Sequence, residues 1–111
     1  MNLNVQNTVT EIVLGDKKFN CKLDFLTIAN IQKRLKKDGN ACTFQQIFEG
    51  IGNQDFSILV PFLVCSIQRV HTNIKEDYIL ELLTFDNLEV IFEGLTQMID
   101  ASMPKDKTEG N

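Results

Sequence analysis

One histidine, His71, is all that the 111 residues offer, so metal sites built on histidine clusters and dyads of histidines are excluded. The three cysteines, Cys21, Cys42 and Cys65, are odd in number, far apart and without CxxC spacing, which removes the usual zinc and dithiol arrangements. Cys21 alternates with Phe19 and Leu23, and Cys65 sits in the most apolar stretch of the chain. Both read as small core hydrophobes at home in a reducing cytosol. A catalytic pairing of His71 with Cys65 puts the cysteine six residues upstream in apolar surroundings, where burial raises a thiol pKa and leaves it inert.

Other absences narrow the field further. No phosphate loop, nucleophile elbow, zinc signature or calcium loop is present. Gly50-Ile51-Gly52 lacks the third glycine of a dinucleotide fingerprint and follows a helical pattern, so it reads as a turn. Net charge is −4, against the electropositive footprint that a nucleic-acid or membrane-surface binder needs. None of the eight phenylalanines interleaves with a basic stripe. The longest unbroken apolar run, Ile58 to Cys65, is far too short to span a membrane. No charged segment followed by an apolar one opens the chain, so no signal peptide is expected. The expectation is a protein that is not an enzyme, with no cofactor, metal, nucleic-acid or membrane partner.

What the chain does contain is a central apolar stretch, Asp55 to Val70. Asp55 is a natural N-cap, Arg69 suits the far pole, and the residues between are apolar almost all round. Such a helix must be surrounded by the rest of the protein. Pro61 lies inside it and either kinks it or marks an irregular first turn, a start at Ser57 being the other option.

Ahead of it, residues 8–23 alternate with period two. Thr10, Ile12 and Leu14 share one face with Phe19, Cys21 and Leu23, while Val9, Glu11 and Val13 share the other with Asn20 and Lys22. Gly15 supplies the positive φ of a tight turn, with the loop at Gly15-Asp16 or Asp16-Lys17, and a β-hairpin is expected. Asp24 then caps a helix with the stripe Phe25, Ile28, Ile31 and Leu35, ending among Lys33, Arg34, Lys36 and Lys37 before Asp38-Gly39-Asn40. These cations read as a complement to the helix dipole; a phosphate site is the sharper alternative. Thr43 caps a short helix with Phe44, Ile47, Phe48 and Ile51 on one side.

Beyond the central stretch, Thr72 or Asn73 starts a helix whose apolar side is Ile74, Tyr78, Ile79, Leu82 and Leu83. Glu76, Asp77 and Glu81 on it read as a solvated face. After Thr84-Phe85-Asp86 comes a last helix carrying Leu88, Ile91, Phe92, Leu95, Met98 and Ile99, stopped by Pro104. The fold class is α+β, mostly α: a hairpin over 8–23 and about five helices over 24–103, packed around the helix 55–70 in a single domain 8–104. Residues 1–7 are amide-rich and expected to be a flexible N-terminus, and 105–111 a disordered tail.

Charge is unevenly spread. Residues 1–40 carry seven Lys/Arg against four acids, a balance of +3, whereas 41–104 carry two against nine, a balance of −7. The halves attract each other or are solvated faces; alternatively, they support head-to-tail contact between copies or an acidic surface for a basic partner.

This layout resembles one family. The strand ending Val13-Leu14-Gly15-Asp16-Lys17-Lys18-Phe19, the second strand running through Leu23-Asp24-Phe25 straight into a helix, and the helices ending Ser102-Met103-Pro104 are similar to the small tail assembly chaperones of long-tailed bacteriophages and prophages, including those related to gene transfer agents. The resemblance covers residues 8–104. It implies a non-enzymatic protein of the infected bacterial cytoplasm that coats the hydrophobic tape measure protein, helps recruit tail tube subunits, and is absent from the mature virion. Several proteins of that family are also made as a longer version by ribosomal frameshifting near the C-terminus, and the polar tail after Pro104 would suit the end of a short form. No functional residue carries over from the family. Apolar residues in surplus of the core, Val9, Val13, Leu26 and Val90, are the candidate partner-binding positions, and hairpin-edge pairing between copies is a route to self-association. The plain reading is that they are scattered surface apolars. The competing function is a small acidic helical adaptor or regulator that binds a host or phage protein.

Overall fold

The computed structural model describes residues 9–103, so the expected flexible N-terminus, the Pro104 stop and the expected disordered tail lie outside the described residues. The order is β1 (Val9–Leu14), β2 (Lys17–Lys22), α1 (Phe25–Lys37), α2 (Phe44–Gly52), α3 (Phe56–Gln68), α4 (Glu76–Glu81) and α5 (Leu88–Ser102). An antiparallel hairpin followed by five helices is therefore the architecture, an α+β fold that is mostly helical.

The hairpin turn falls at Gly15-Asp16. Leu14 pairs with Lys17 and Ile12 with Phe19, and Gly15 takes φ +67, a value that an L side chain adopts only under strain. Ile12, Leu14, Phe19, Cys21 and Leu23 are buried, while Val9, Glu11, Val13 and Asn20 face out. The sheet has one wet face and one dry face, as its alternation requires.

The dry face meets α3. Asp55 caps this helix, its carboxylate accepting from the Ser57 N–H at 3.0 Å and the Ser57 hydroxyl at 2.7 Å, so the helix begins at Phe56 and Pro61 lies in its interior. Leu59, Phe62, Leu63 and Ile67 are fully buried. α3 packs against α1, α2, α4 and β2, while α5 packs on α2 and β1. The central helix is thus lined on most sides, as its missing polar face demands.

Three local expectations are corrected. Gly50 and Gly52 do not form a turn: both lie within α2, and Gly50 is buried where an added Cβ would run into the Ile58 side chain. Helix α4 starts at Glu76 with Lys75 as its N-cap and no side-chain cap, so neither Thr72 nor Asn73 opens it, and Leu82 and Leu83 fall beyond its end. Phe25 and Phe44 do not join the core stripes of α1 and α2: they are 87% and 51% exposed. On α1 the core place goes instead to Thr27, fully buried, whose hydroxyl lies 2.8 Å from the Lys22 carbonyl and 2.9 Å from Asp24 Oδ1. A polar side chain is tolerated there because it is hydrogen-bonded.

Two ion pairs stitch the basic third to the rest. Arg34 of α1 makes a two-pronged contact with Glu76, at 2.8 and 2.7 Å, and Arg69 at the end of α3 grips Asp24. Arg34 is therefore not one of four free cations, and Glu76 is not part of a free acidic series. Both pairs join the N-terminal segment to the later part of the chain, but only Arg34–Glu76 follows the charge asymmetry; Asp24–Arg69 runs against it, an acid of the basic segment meeting a cation of the acidic remainder.

Candidate functional site: an apolar groove at the head of α1

The feature best suited to holding something is a groove of about 650 Å³ where the starts of α1 and α2 meet the end of α5. It begins with the cap of α1. Asp24 Oδ1 accepts the Thr27 N–H at 3.0 Å, fixing where the helix starts and hence which way its first turn faces. From there Phe25, Ile28, Ala29 and Gln32 fall on one side at helical spacing and form one wall. Helix α2 supplies Phe44 and Phe48, an i, i+4 pair whose rings meet edge to face at 5.7 Å with an interplanar angle of 81°. Leu23, Ser102 and Met103 complete the lining.

Polar groups around the groove are largely engaged elsewhere. Gln32 donates its amide N–H to the Cys42 carbonyl at 3.1 Å, bracing α1 against the segment that leads into α2. Asp24 is held by Arg69 through Nε at 3.1 Å and Nη2 at 2.8 Å. Burial pushes the Asp24 carboxyl up, but the Arg69 guanidinium and the Thr27 N–H and hydroxyl outweigh it, and the carboxyl titrates at about 2. It stays ionised and paired at neutral pH. What remains open is aromatic and aliphatic surface, at a size typical of a ligand or side-chain cleft.

The groove carries no reactive group. Burial pushes the Cys21 thiol up to about 12, and burial also raises that of Cys65. Neither lines the groove. His71 Nε2 accepts the Asn20 backbone N–H at 3.3 Å, and its ring stands edge-on to Phe19 at 6.1 Å, tying the end of α3 to β2. Among the described residues, no group of three or more His, Cys, Asp or Glu side chains is placed to hold a metal ion. No single helix among them is long and apolar enough to cross a membrane.

The four positions singled out from the sequence are all exposed, Val9 at 49%, Val13 at 43%, Leu26 at 53% and Val90 at 61%. They do not converge. Val9 and Val13 stand on the outer hairpin face, Leu26 on the first turn of α1, and Val90 on the first turn of α5. None lines the groove, although Leu26 follows Phe25 directly. Sequence reasoning missed Phe25, Phe44, Phe48 and Met103 as site residues. The available signal was positional: α1, α2 and α3 each open on a phenylalanine, and all three (Phe25, Phe44 and Phe56) are more than half exposed.

No family model, no curated protein and no solved structure matches this chain.

Proposed function

We propose that this chain is a non-enzymatic tail assembly chaperone of a long-tailed bacteriophage or prophage. It acts in the bacterial cytoplasm, keeps the tape measure protein soluble by covering its apolar segments, helps bring tail tube subunits to it, and stays out of the mature virion. The family resemblance of residues 8–104 supports the reading, and one structural observation carries it: an open apolar groove rimmed by Phe25, which is 87% exposed. A large aromatic left in water beside a ready-made apolar cleft costs the free protein and benefits a complex, the pattern of an interaction site. An amphipathic helix laying its apolar face into the groove is the recognition mode this geometry suits.

The test is co-expression with a tape measure protein from the same genetic neighbourhood. The expected result is a soluble complex that purifies intact and is weakened by Phe25→Ser or Phe44→Ser. Unchanged solubility of the tape measure protein, with no complex, overturns the reading.

A second reading has its own support. Asp77, Glu81, Asp86, Glu89, Glu93 and Asp100 are all exposed on α4, α5 and their connection, as a small acidic adaptor for a host or phage protein would present them. Binding of that kind falls steeply with added salt, whereas apolar capture in the groove does not.

A further inference from the structure

The most exposed large apolar side chain among the described residues is far from the groove. Phe85, 95% exposed, projects from the connection between α4 and α5. That connection is braced: the Thr84 N–H donates to Asn87 Oδ1 at 2.9 Å, the Asn87 N–H donates to Thr84 Oγ1 at 3.2 Å, and the Asn87 amide donates to the Leu82 carbonyl at 3.0 Å. Phe85 is therefore held out on a fixed turn, with Asp86 and Glu89 exposed beside it. The groove has the complementary character. Its α1 wall continues one turn beyond Gln32 to Lys36, exposed with its neighbours Lys33 and Lys37.

The two features sit at opposite ends of one helix. Phe85 precedes the start of α5 at Leu88, and the groove includes Ser102 and Met103 at its end. Fifteen residues of helix span roughly 22 Å at 1.5 Å per residue. Phe85 therefore cannot fill the groove of its own chain.

We infer that Phe85 of one copy seats in the apolar groove of a second copy, head to tail. Asp86 and Glu89 then approach the cations at the end of the partner copy's α1, so charge complementarity sets the direction. The two contacting surfaces differ, so the contact is heterologous: each added copy presents a fresh Phe85 at one end and a fresh groove at the other. Such a contact builds open chains or rings rather than a closed two-fold dimer. It also occupies the groove, so self-association and capture of an apolar partner segment compete. Because the contact needs no other protein, it stands or falls separately from the tail-assembly reading.

The test uses the purified full chain and two variants, Phe85→Ser, which removes the projecting ring, and Phe25→Asp, which puts a charge on the groove rim. Circular dichroism melts first check that both fold as the wild type does. If a variant fails this check, Phe85→Leu or Phe44→Ser replaces it. Light scattering from micromolar to millimolar concentration is expected to show the wild-type mass rising beyond a dimer. Each variant alone should associate at least about tenfold more weakly. Mixed one to one, they should form a dimer that grows no further, since Phe25→Asp keeps the only good ring and Phe85→Ser the only good groove. Wild type that stays monomeric at millimolar concentration overturns the inference. So does self-association undiminished by Phe85→Ser, or a mixture that remains monomeric.

Discussion

Asp24 caps α1 and, with the same carboxylate, takes the guanidinium of Arg69 at the end of α3, at 3.1 Å to Nε and 2.8 Å to Nη2. One side chain thus fixes the start of the helix that walls the groove and pins it to the central helix. Folding lowers this carboxyl from its ordinary 3.8 to about 2, so the stability it adds is complete above about pH 4 and drains away as pH falls towards 2. The pair is partly solvated, which holds its share to about 1 to 2 kcal/mol.

Arg69→Gln should therefore destabilise the protein by about 1 to 2 kcal/mol near neutral pH, as measured by urea unfolding. The difference between wild type and variant should shrink when the same measurement is made at about pH 2.5. Comparing the two proteins cancels the other carboxylates, which titrate in both. A gap that stays constant from about pH 5 to about pH 2.5 would show that the pairing does not hold Asp24 ionised.

Gly50 gives a prediction of opposite sign to simple propensity. Alanine in a helix interior is ordinarily better than glycine by about 1 kcal/mol. At Gly50 the new methyl meets Ile58, 4% exposed and fixed in the core between α2 and α3. Gly50→Ala should cost about 1 to 3 kcal/mol through overpacking. Adding Ile58→Val, which removes the nearest methyl, should recover part of that loss; additive penalties in the double variant would place the strain elsewhere.

Much of this fold is legible in the sequence because period and punctuation agree. The hairpin register follows from parity: either candidate loop puts Ile12 and Leu14 on one face with Phe19 and Cys21, and parity leaves only the choice of loop open. Asp24, Thr43 and Asp55 are side-chain caps of the kind that local chemistry announces. The groove is not legible, for a physical reason. Periodicity assigns Phe25 and Phe44 to apolar stripes, but it does not say whether another element lies over the end of a stripe. Both are the first residue of their helix, and both are more than half exposed. Gly50 reads as a turn residue because its tight approach to Ile58 is a tertiary fact, invisible to local turn statistics.

Leu63 tests the central helix itself. It is fully buried in α3, so Leu63→Asp places an unpaired charge in the core, a change of more than about 4 kcal/mol against a total stability of about 5 to 15. Loss of most helical circular dichroism is expected, and Leu63→Ala should cost about 2 to 5 kcal/mol while keeping the fold. A folded Leu63→Asp protein with full helix content would mean that α3 is not enclosed.

Phe25 separates what holds the protein together from what the groove is for. Its ring is 87% exposed, so its removal takes little apolar surface back into water, and serine is nearly as good a residue in a helix. Phe25→Ser should therefore change the stability measured by urea unfolding by no more than about 0.5 kcal/mol. Leu35→Ala, ten residues along the same helix and 1% exposed, should cost about 2 to 5 kcal/mol. Binding of an apolar fluorescent dye should reverse that order: weakened by Phe25→Ser, which removes a groove wall, and not by Leu35→Ala, which does not line the groove. If Phe25→Ser instead lost stability on the scale of Leu35→Ala, the ring would be serving the core, and the groove would be a gap in the packing rather than a surface kept open for binding.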